Sequence, residues 1–144
     1  MIALVADRPA KERTISELLE TVSATRLATF HQCRLKFFFR YVAALAKPPS
    51  PSLVLGKALH ALVQVWNLAR WRGQPIPENT VEVVCAEAAL DPQAIGELFE
   101  LYQKEAPIPP DEKPLGVEVS LEVDLSSQGL PTLMGVLDLV RPPG

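Results

Sequence analysis

The stretch GVEVSLEVDLSSQGLPTLMGVLDLV, residues 116–140, decides the fold class, because its apolar residues first recur at every second position. Apolar and polar side chains alternate through residues 117–125, which is typical of a strand with one buried face. Residues 126–129 supply a turn, and Thr132–Val140 is apolar on both faces except for Asp138. The stretch therefore predicts an antiparallel hairpin whose second strand is buried on both sides.

Upstream of this hairpin, prolines, glycines and capping residues divide the chain into segments of helical period. Residues 14–19 form an amphipathic stretch. We expect helices over 24–32 with Ser23 as N-cap, over 35–46, over 53–71 with Ser52 as N-cap and Gly73 as stop, over 80–89, and over 92–104 with Asp91 as N-cap and Pro92 at the first position. Two strands alone make a poor sheet. We therefore expect an α/β domain of which this chain contains the N-terminal helices and the first hairpin.

Length and composition indicate one folded domain of a soluble protein. The chain has 144 residues, 48% of them hydrophobic and 22% charged. No apolar run approaches the roughly 20 residues of a membrane span, and the first residues do not form a signal-peptide core. The two cysteines show no CxxC spacing, so neither a disulfide framework nor a zinc site is indicated. We expect a cytoplasmic protein without a membrane partner.

Charge is distributed unevenly along the chain. Residues 1–75 hold 11 Lys or Arg against 4 Asp or Glu, a balance of +7, whereas residues 76–144 hold 3 against 13, a balance of −10. No carboxylate occurs between Glu20 and Glu78, and aromatic residues lie among the basic ones. A phosphate-binding groove beside a metal-binding carboxylate site would show this pattern. Two oppositely charged halves that attract each other would show it equally well.

Three residues are candidates for chemistry. Asp138 interrupts an apolar strand, where a carboxylate is costly to bury without a cation, although at the strand end it would simply face water. His60 shares a polar stripe of the longest helix with Gly56, Gln64 and Asn67, so it is either a ligand for a metal or phosphate or a hydrogen-bonded packing residue.

Glu118 is the third candidate. It opens the first strand and has the pattern of a solvated position. Antiparallel pairing with residues 132–140 would nevertheless bring Glu118 close to Asp138. Two adjacent carboxylates are costly without a divalent ion.

Four segments in this order resemble the RecB-like branch of the PD-(D/E)XK nuclease superfamily, which includes the AddB-like nuclease domain. They are VSATRLATFHQCRLKFFFRYV at 22–42, LVLGKALHALVQ at 53–64, GVEVSLEV at 116–123 and PTLMGVLDLV at 131–140. The resemblance implies a restriction-endonuclease-like mixed sheet with helices. It assigns residues 1–20 to an N-terminal extension and 21–144 to the N-terminal part of the nuclease domain.

The resemblance also implies a function, a metal-dependent DNA exonuclease of DNA repair or recombination, with a helicase subunit as a possible partner. His60 and Asp138 would bind Mg²⁺ or Mn²⁺, and Asp138 and Glu118 would be the catalytic carboxylates. The residues expected to contact DNA are Arg26, Arg34, Lys36, Arg40 and Lys57. Cys33 matches the first cysteine of an iron–sulfur cluster that some relatives bind, but a small buried structural cysteine is the alternative.

The pattern departs from the family after Asp138. The D/E-x-K element and the Q-x-x-x-Y helix of the family are missing, as are the three later cysteines, and Arg34 stands where a proline is usual. We therefore expect a C-terminally truncated fragment that is inactive alone, from a parent that cuts DNA. The alternatives are a non-catalytic DNA-binding or scaffold module, and an unrelated helical adaptor in which His60 and Asp138 lie far apart.

Overall fold

A computed structural model describes residues 14–45 and 48–143 of the chain. The elements in chain order are α1 (Ile15–Glu20), β1 (Thr21–Ser23), α2 (Ala24–Gln32), α3 (Arg34–Phe37), a π-helical turn (Phe38–Val42), α4 (Pro51–Arg72), α5 (Thr80–Ala88), α6 (Pro92–Lys104), β2 (Gly116–Val123), a 3₁₀ turn (Ser126–Gln128) and β3 (Thr132–Val140). Within these described ranges, no helix is long and apolar enough to cross a membrane.

The sheet has three strands in the order β1-β3-β2. β1 runs parallel to β3, with Thr21 opposite Thr132 and Ser23 opposite Met134. At the other end of β3, the Leu115 N–H donates to the Val140 carbonyl at 3.0 Å, as expected where β2 begins antiparallel to β3. The sheet is therefore mixed, as predicted. The prediction of a hairpin alone was wrong, because β1 adds a third strand.

The chain forms two compact units, and the first comprises residues 1–48 and 120–136. Here the Ser23 hydroxyl caps α2 by accepting from the Arg26 N–H at 3.3 Å, as predicted. The helix expected over 35–46 is instead the short α3 followed by the π-helical turn, which ends at Val42. Ala46, the last residue of that predicted helix, lies outside the described residues. Residues 1–13 of the predicted N-terminal extension also lie outside them. In the described part of the extension, Leu18 of α1 is buried.

The second unit comprises residues 49–119 and 137–144. Its core is a cluster of side chains from α4, α5 and α6: Ala58, Ala61, Leu62, Trp66, Val84, Cys85, Ile95 and Phe99. The α4 helix begins at Pro51, with Ser50 rather than Ser52 as its N-cap, because the Ser50 hydroxyl accepts from the Leu53 N–H at 3.3 Å. It ends at Gly73, whose φ of +66° is the left-handed conformation that glycine adopts without strain.

The strands are more exposed than their sequence predicts. We expected Thr132–Val140 to be buried on both faces, yet its central residues, 134–138, are exposed. In β2 the alternating pattern also fails, since residues 120–123 are all exposed. Among the apolar strand residues that stay accessible are Leu121, Val123, Met134, Val136 and Leu137.

Candidate metal centre

The polar stripe predicted on the longest helix lines a cavity of about 410 Å³ in the second unit. Gly56, His60, Gln64 and Asn67 all contribute to its wall, since residues three or four apart lie on one side of an α-helix. The His60 side chain is 51% exposed, so its imidazole is accessible at the cavity rim. The stripe therefore borders an open cavity that also has apolar wall residues, Leu59, Val63 and Leu139 among them.

Glu118 reaches the same cavity through an unusual backbone conformation. Its φ is +53°, in the left-handed region that residues with a side chain seldom occupy. The chain bends so sharply here that a Cβ on Gly116 would lie 2.6 Å from Cγ2 of Val119. Glu118 Oε1 lies 3.6 Å from Nε2 of His60. Backbone strain of this kind concentrates at functional sites, because the surrounding structure must hold it in place.

Asp138 enters the site from β3. One carboxylate oxygen of Asp138, one of Glu118 and one ring nitrogen of His60 all lie within 4.8 Å of one another. The antiparallel pairing of the two strands thus brings the carboxylates together, as predicted. The expected desolvation of Asp138 is wrong, however, because Asp138 is exposed, as are residues 134–137 of the same strand. Its proximity to two other ligand groups, rather than its burial, singles it out.

The three side chains fit a hard divalent cation. Ligands on opposite sides of a Mg²⁺ or Mn²⁺ ion lie about 4.2 Å apart, since each bond is about 2.1 Å long. The three ligand atoms lie within 4.8 Å of one another, which is close enough for His60, Glu118 and Asp138 to hold one such ion. Two carboxylate oxygens and one imidazole nitrogen suit Mg²⁺ or Mn²⁺ better than a soft metal.

Arg70 holds the segment that leads into β2, and nothing in the sequence pattern indicated this role. Its guanidinium donates to the carbonyls of Ile108, Pro109 and Glu112, the Ile108 contact being 3.3 Å, and to Asn67 Oδ1 at 3.1 Å. It also lies 4.3 Å from the centroid of the Trp66 ring. Burial lowers the pKa of Arg70 from its usual value. The contacts attach the connector before Glu118 to the helix that contains His60.

The five residues predicted to bind DNA have different environments. Arg26 is buried, and its guanidinium donates to the Thr21 carbonyl and lies 5.9 Å from the Tyr41 ring centroid. In this structure Arg26 therefore joins α2 to β1 and is buried, which does not fit the predicted contact with DNA. Arg34, Lys36 and Arg40 are exposed in the first unit, and Lys57 is exposed on α4 in the second.

Cys33 is exposed, so the expectation of a small buried residue is wrong. Its sulfur caps α3 by accepting from the Lys36 N–H at 3.4 Å. Within the described part of the chain, the one group of three or more potential metal ligands is His60, Glu118 and Asp138, and Cys33 lies outside it. The buried cysteine is Cys85, and burial raises the pKa of its thiol.

The chain matches a known protein family. The family model of the PD-(D/E)XK nuclease superfamily matches residues 21–144, which include all three residues of the candidate metal centre. Searches of curated proteins and of solved structures return no match.

Proposed function

The chain belongs to the PD-(D/E)XK nuclease superfamily, and from that premise we propose that it is part of a metal-dependent nuclease that hydrolyses phosphodiester bonds in DNA. The observation that supports this most strongly is the convergence of His60, Glu118 and Asp138 within 4.8 Å. These residues lie on a helix and two strands that are far apart in sequence. A helical adaptor with no metal site would not require their side chains to meet.

Each of the three residues has a distinct role in this proposal. The His60 imidazole and the Asp138 carboxylate hold the ion, and Glu118 adds the second negative charge that a divalent cation requires. A bound Mg²⁺ or Mn²⁺ polarises the scissile phosphate and lowers the pKa of water for attack on phosphorus. Arg34, Lys36, Arg40 and Lys57 are exposed cations that would contact the DNA backbone.

We further propose that the parent protein is a cytoplasmic RecB-like exonuclease of DNA repair or recombination that works with a helicase subunit. Support comes from the order of the four segments that resemble this branch and from the cap that Ser23 forms on α2 at the start of the first segment. Residues 21–144 would be the N-terminal part of its nuclease domain.

The direct test is degradation of end-labelled single-stranded and duplex DNA in Mn²⁺ by the protein expressed from its complete coding sequence. We expect Asp138→Ala and His60→Ala to lower the cleavage rate at least about 100-fold, because each removes a ligand of the catalytic ion. Asp124→Ala and His31→Ala are matched controls from the first unit that should cleave at the wild-type rate. Equal activity of Asp138→Ala and wild type would refute the proposed site.

Circular DNA provides the test of the finer proposal. An exonuclease requires a DNA end. The wild-type protein should therefore degrade linear DNA and leave covalently closed circles, single-stranded or duplex, intact. Linearisation or fragmentation of the circles at a comparable rate would identify an endonuclease. In that case the metal centre would stand and the exonuclease proposal would be wrong.

A non-catalytic DNA-binding module is the second candidate, and one observation favours it. The described residues that line the cavity include no lysine to stabilise charge on an attacked phosphate. This alternative predicts that the complete protein binds DNA but cuts neither single-stranded nor duplex DNA at any Mn²⁺ concentration. Cleavage that disappears in Asp138→Ala would exclude it.

A further inference from the structure

The first unit exposes a set of aromatic and cationic side chains whose chemistry the metal centre does not use. We call the residues Arg34, Lys36, Phe38, Phe39 and Arg40 the basic–aromatic surface. All five are exposed, and they lie on α3 and the π-helical turn that follows it. No Asp or Glu occurs between Glu20 and Glu78, so this segment contains no acidic residue to neutralise the cations.

Other aromatic residues of this segment attach it to the rest of the unit. The Phe37 ring lies 5.3 Å from the Phe30 ring of α2 and 5.1 Å from the Tyr41 ring, between centroids. Both Phe37 and Tyr41 are partly buried. The packing of this segment on α2 thus uses the Phe37 ring, while Phe38 and Phe39 are exposed.

The rings of Phe38 and Phe39 lie on the π-helical turn. The Ala43 N–H donates to the Phe38 carbonyl at 2.9 Å, five residues back, which widens the helix at this point. Phe38 is 48% exposed and Phe39 is 44% exposed, and their ring centroids are 5.6 Å apart with an angle of 68° between the ring planes. π-Helical turns are rare and occur frequently at functional sites.

We propose that the basic–aromatic surface binds single-stranded DNA, with unpaired bases stacked on Phe38 and Phe39 and phosphates contacting Arg34, Lys36 and Arg40. The inference builds on the proposed nuclease function and specifies the state of its substrate. Aromatic rings stack on the faces of bases, which a duplex keeps hidden in its own stack, whereas a single strand exposes them. Three cations without an acidic neighbour in the segment match a polyanion in charge, which argues against an apolar protein partner.

The test is fluorescence anisotropy of a fluorescein-labelled 20-nucleotide oligo-dT and of a 20-base-pair duplex, titrated with the 144-residue chain in EDTA. The decisive variant is Phe38→Leu/Phe39→Leu, which keeps apolar side chains and removes the aromatic faces. We expect its affinity for oligo-dT to fall at least about tenfold, since each stacked base depends on one ring. Phe38→Tyr/Phe39→Tyr retains the faces and should bind within about twofold of wild type.

Trp71→Leu is the matched control. Trp71 is an exposed aromatic residue of α4 in the second unit, so its loss should leave oligo-dT binding unchanged. A second set of variants does not depend on the rings: Arg34→Gln, Lys36→Gln and Arg40→Gln should each lower the slope of log K against log salt by about 0.7. Far-UV circular dichroism confirms that each variant is folded.

Because EDTA removes divalent ions, binding is measured without hydrolysis, and failure of the nuclease proposal would leave this result standing. Equal affinity of Phe38→Leu/Phe39→Leu and wild type for oligo-dT would overturn the inference. Equal affinity of the wild-type chain for duplex and oligo-dT, or no binding to either, would also overturn it. None of these outcomes would alter the cleavage test of the metal centre.

Discussion

Replacing Glu118 with glycine should weaken metal binding but destabilise the fold less than the same replacement elsewhere on β2. Glu118 has a φ of +53°, a conformation that costs a residue with a side chain roughly 1–2 kcal/mol and glycine almost nothing. The same replacement at Glu122, which lies on the same strand without a positive φ, is the matched control. Both variants remove one glutamate and raise the backbone entropy of the unfolded chain by the same amount. The difference between their free energies of unfolding therefore reports mainly the backbone strain at Glu118.

The magnitude follows from these terms. Glu122→Gly should lower the free energy of unfolding by about 1 kcal/mol, because glycine weakens a strand interior. In Glu118→Gly that loss is offset by about 1–2 kcal/mol of released strain. Removal of the contact with His60, which is partly exposed, subtracts less than about 1 kcal/mol. Glu118→Gly should therefore be more stable than Glu122→Gly by about 1 kcal/mol.

Urea denaturation followed by far-UV circular dichroism, in EDTA, measures this difference. Repeating the titration with Mn²⁺ completes the test, because an ion that binds only the folded state stabilises it. Wild type and Glu122→Gly should gain stability from Mn²⁺, and Glu118→Gly should gain less. If Glu118→Gly is as unstable as Glu122→Gly in EDTA, the strained-backbone explanation is wrong.

Three further predictions concern the framework around the site. Arg70→Met should lower the free energy of unfolding by about 3 kcal/mol, since two partly buried hydrogen bonds from a charged donor and a cation–π contact are lost. The control, Arg72→Met at the exposed end of the same helix, should lower it by under about 0.5 kcal/mol in the same urea assay. Ser50→Ala should cost about 1 kcal/mol, because it removes the N-cap of α4, and an unchanged urea midpoint would contradict that assignment. Ellman's reagent should modify Cys33 in the folded chain but Cys85 only on unfolding, since burial both shields that thiol and raises its pKa; two rapid equivalents in the native protein would refute this.

Local sequence signals predicted several elements closely. The α2 and α6 helices have the predicted bounds and caps, and β3 has the predicted bounds, because each begins or ends at a residue with a strong local preference. The placement of His60 on a polar stripe followed from helical periodicity alone. The meeting of Glu118 and Asp138 followed from the antiparallel pairing of two recognisable strands.

The features that were missed depend on distant contacts. β1 has three residues, Thr21–Ser23, too few for an alternating pattern, and it forms by pairing with a strand more than 100 residues later in the chain. The left-handed conformation of Glu118 has no signal in a glutamate, which ordinarily avoids it. Arg26 was predicted to contact DNA, but it is buried, and its guanidinium has a backbone carbonyl as partner, which makes burial tolerable.

Mn²⁺ binding to the 144-residue chain tests the central claim most directly. We would measure it by isothermal titration calorimetry, with His60→Gln and Asp138→Asn as site variants and His31→Gln as the matched imidazole control. One ion per chain should bind, and each site variant should weaken binding at least about tenfold while the control leaves it unchanged. Binding that is equally strong in His60→Gln, Asp138→Asn and wild type would show that these side chains do not share an ion.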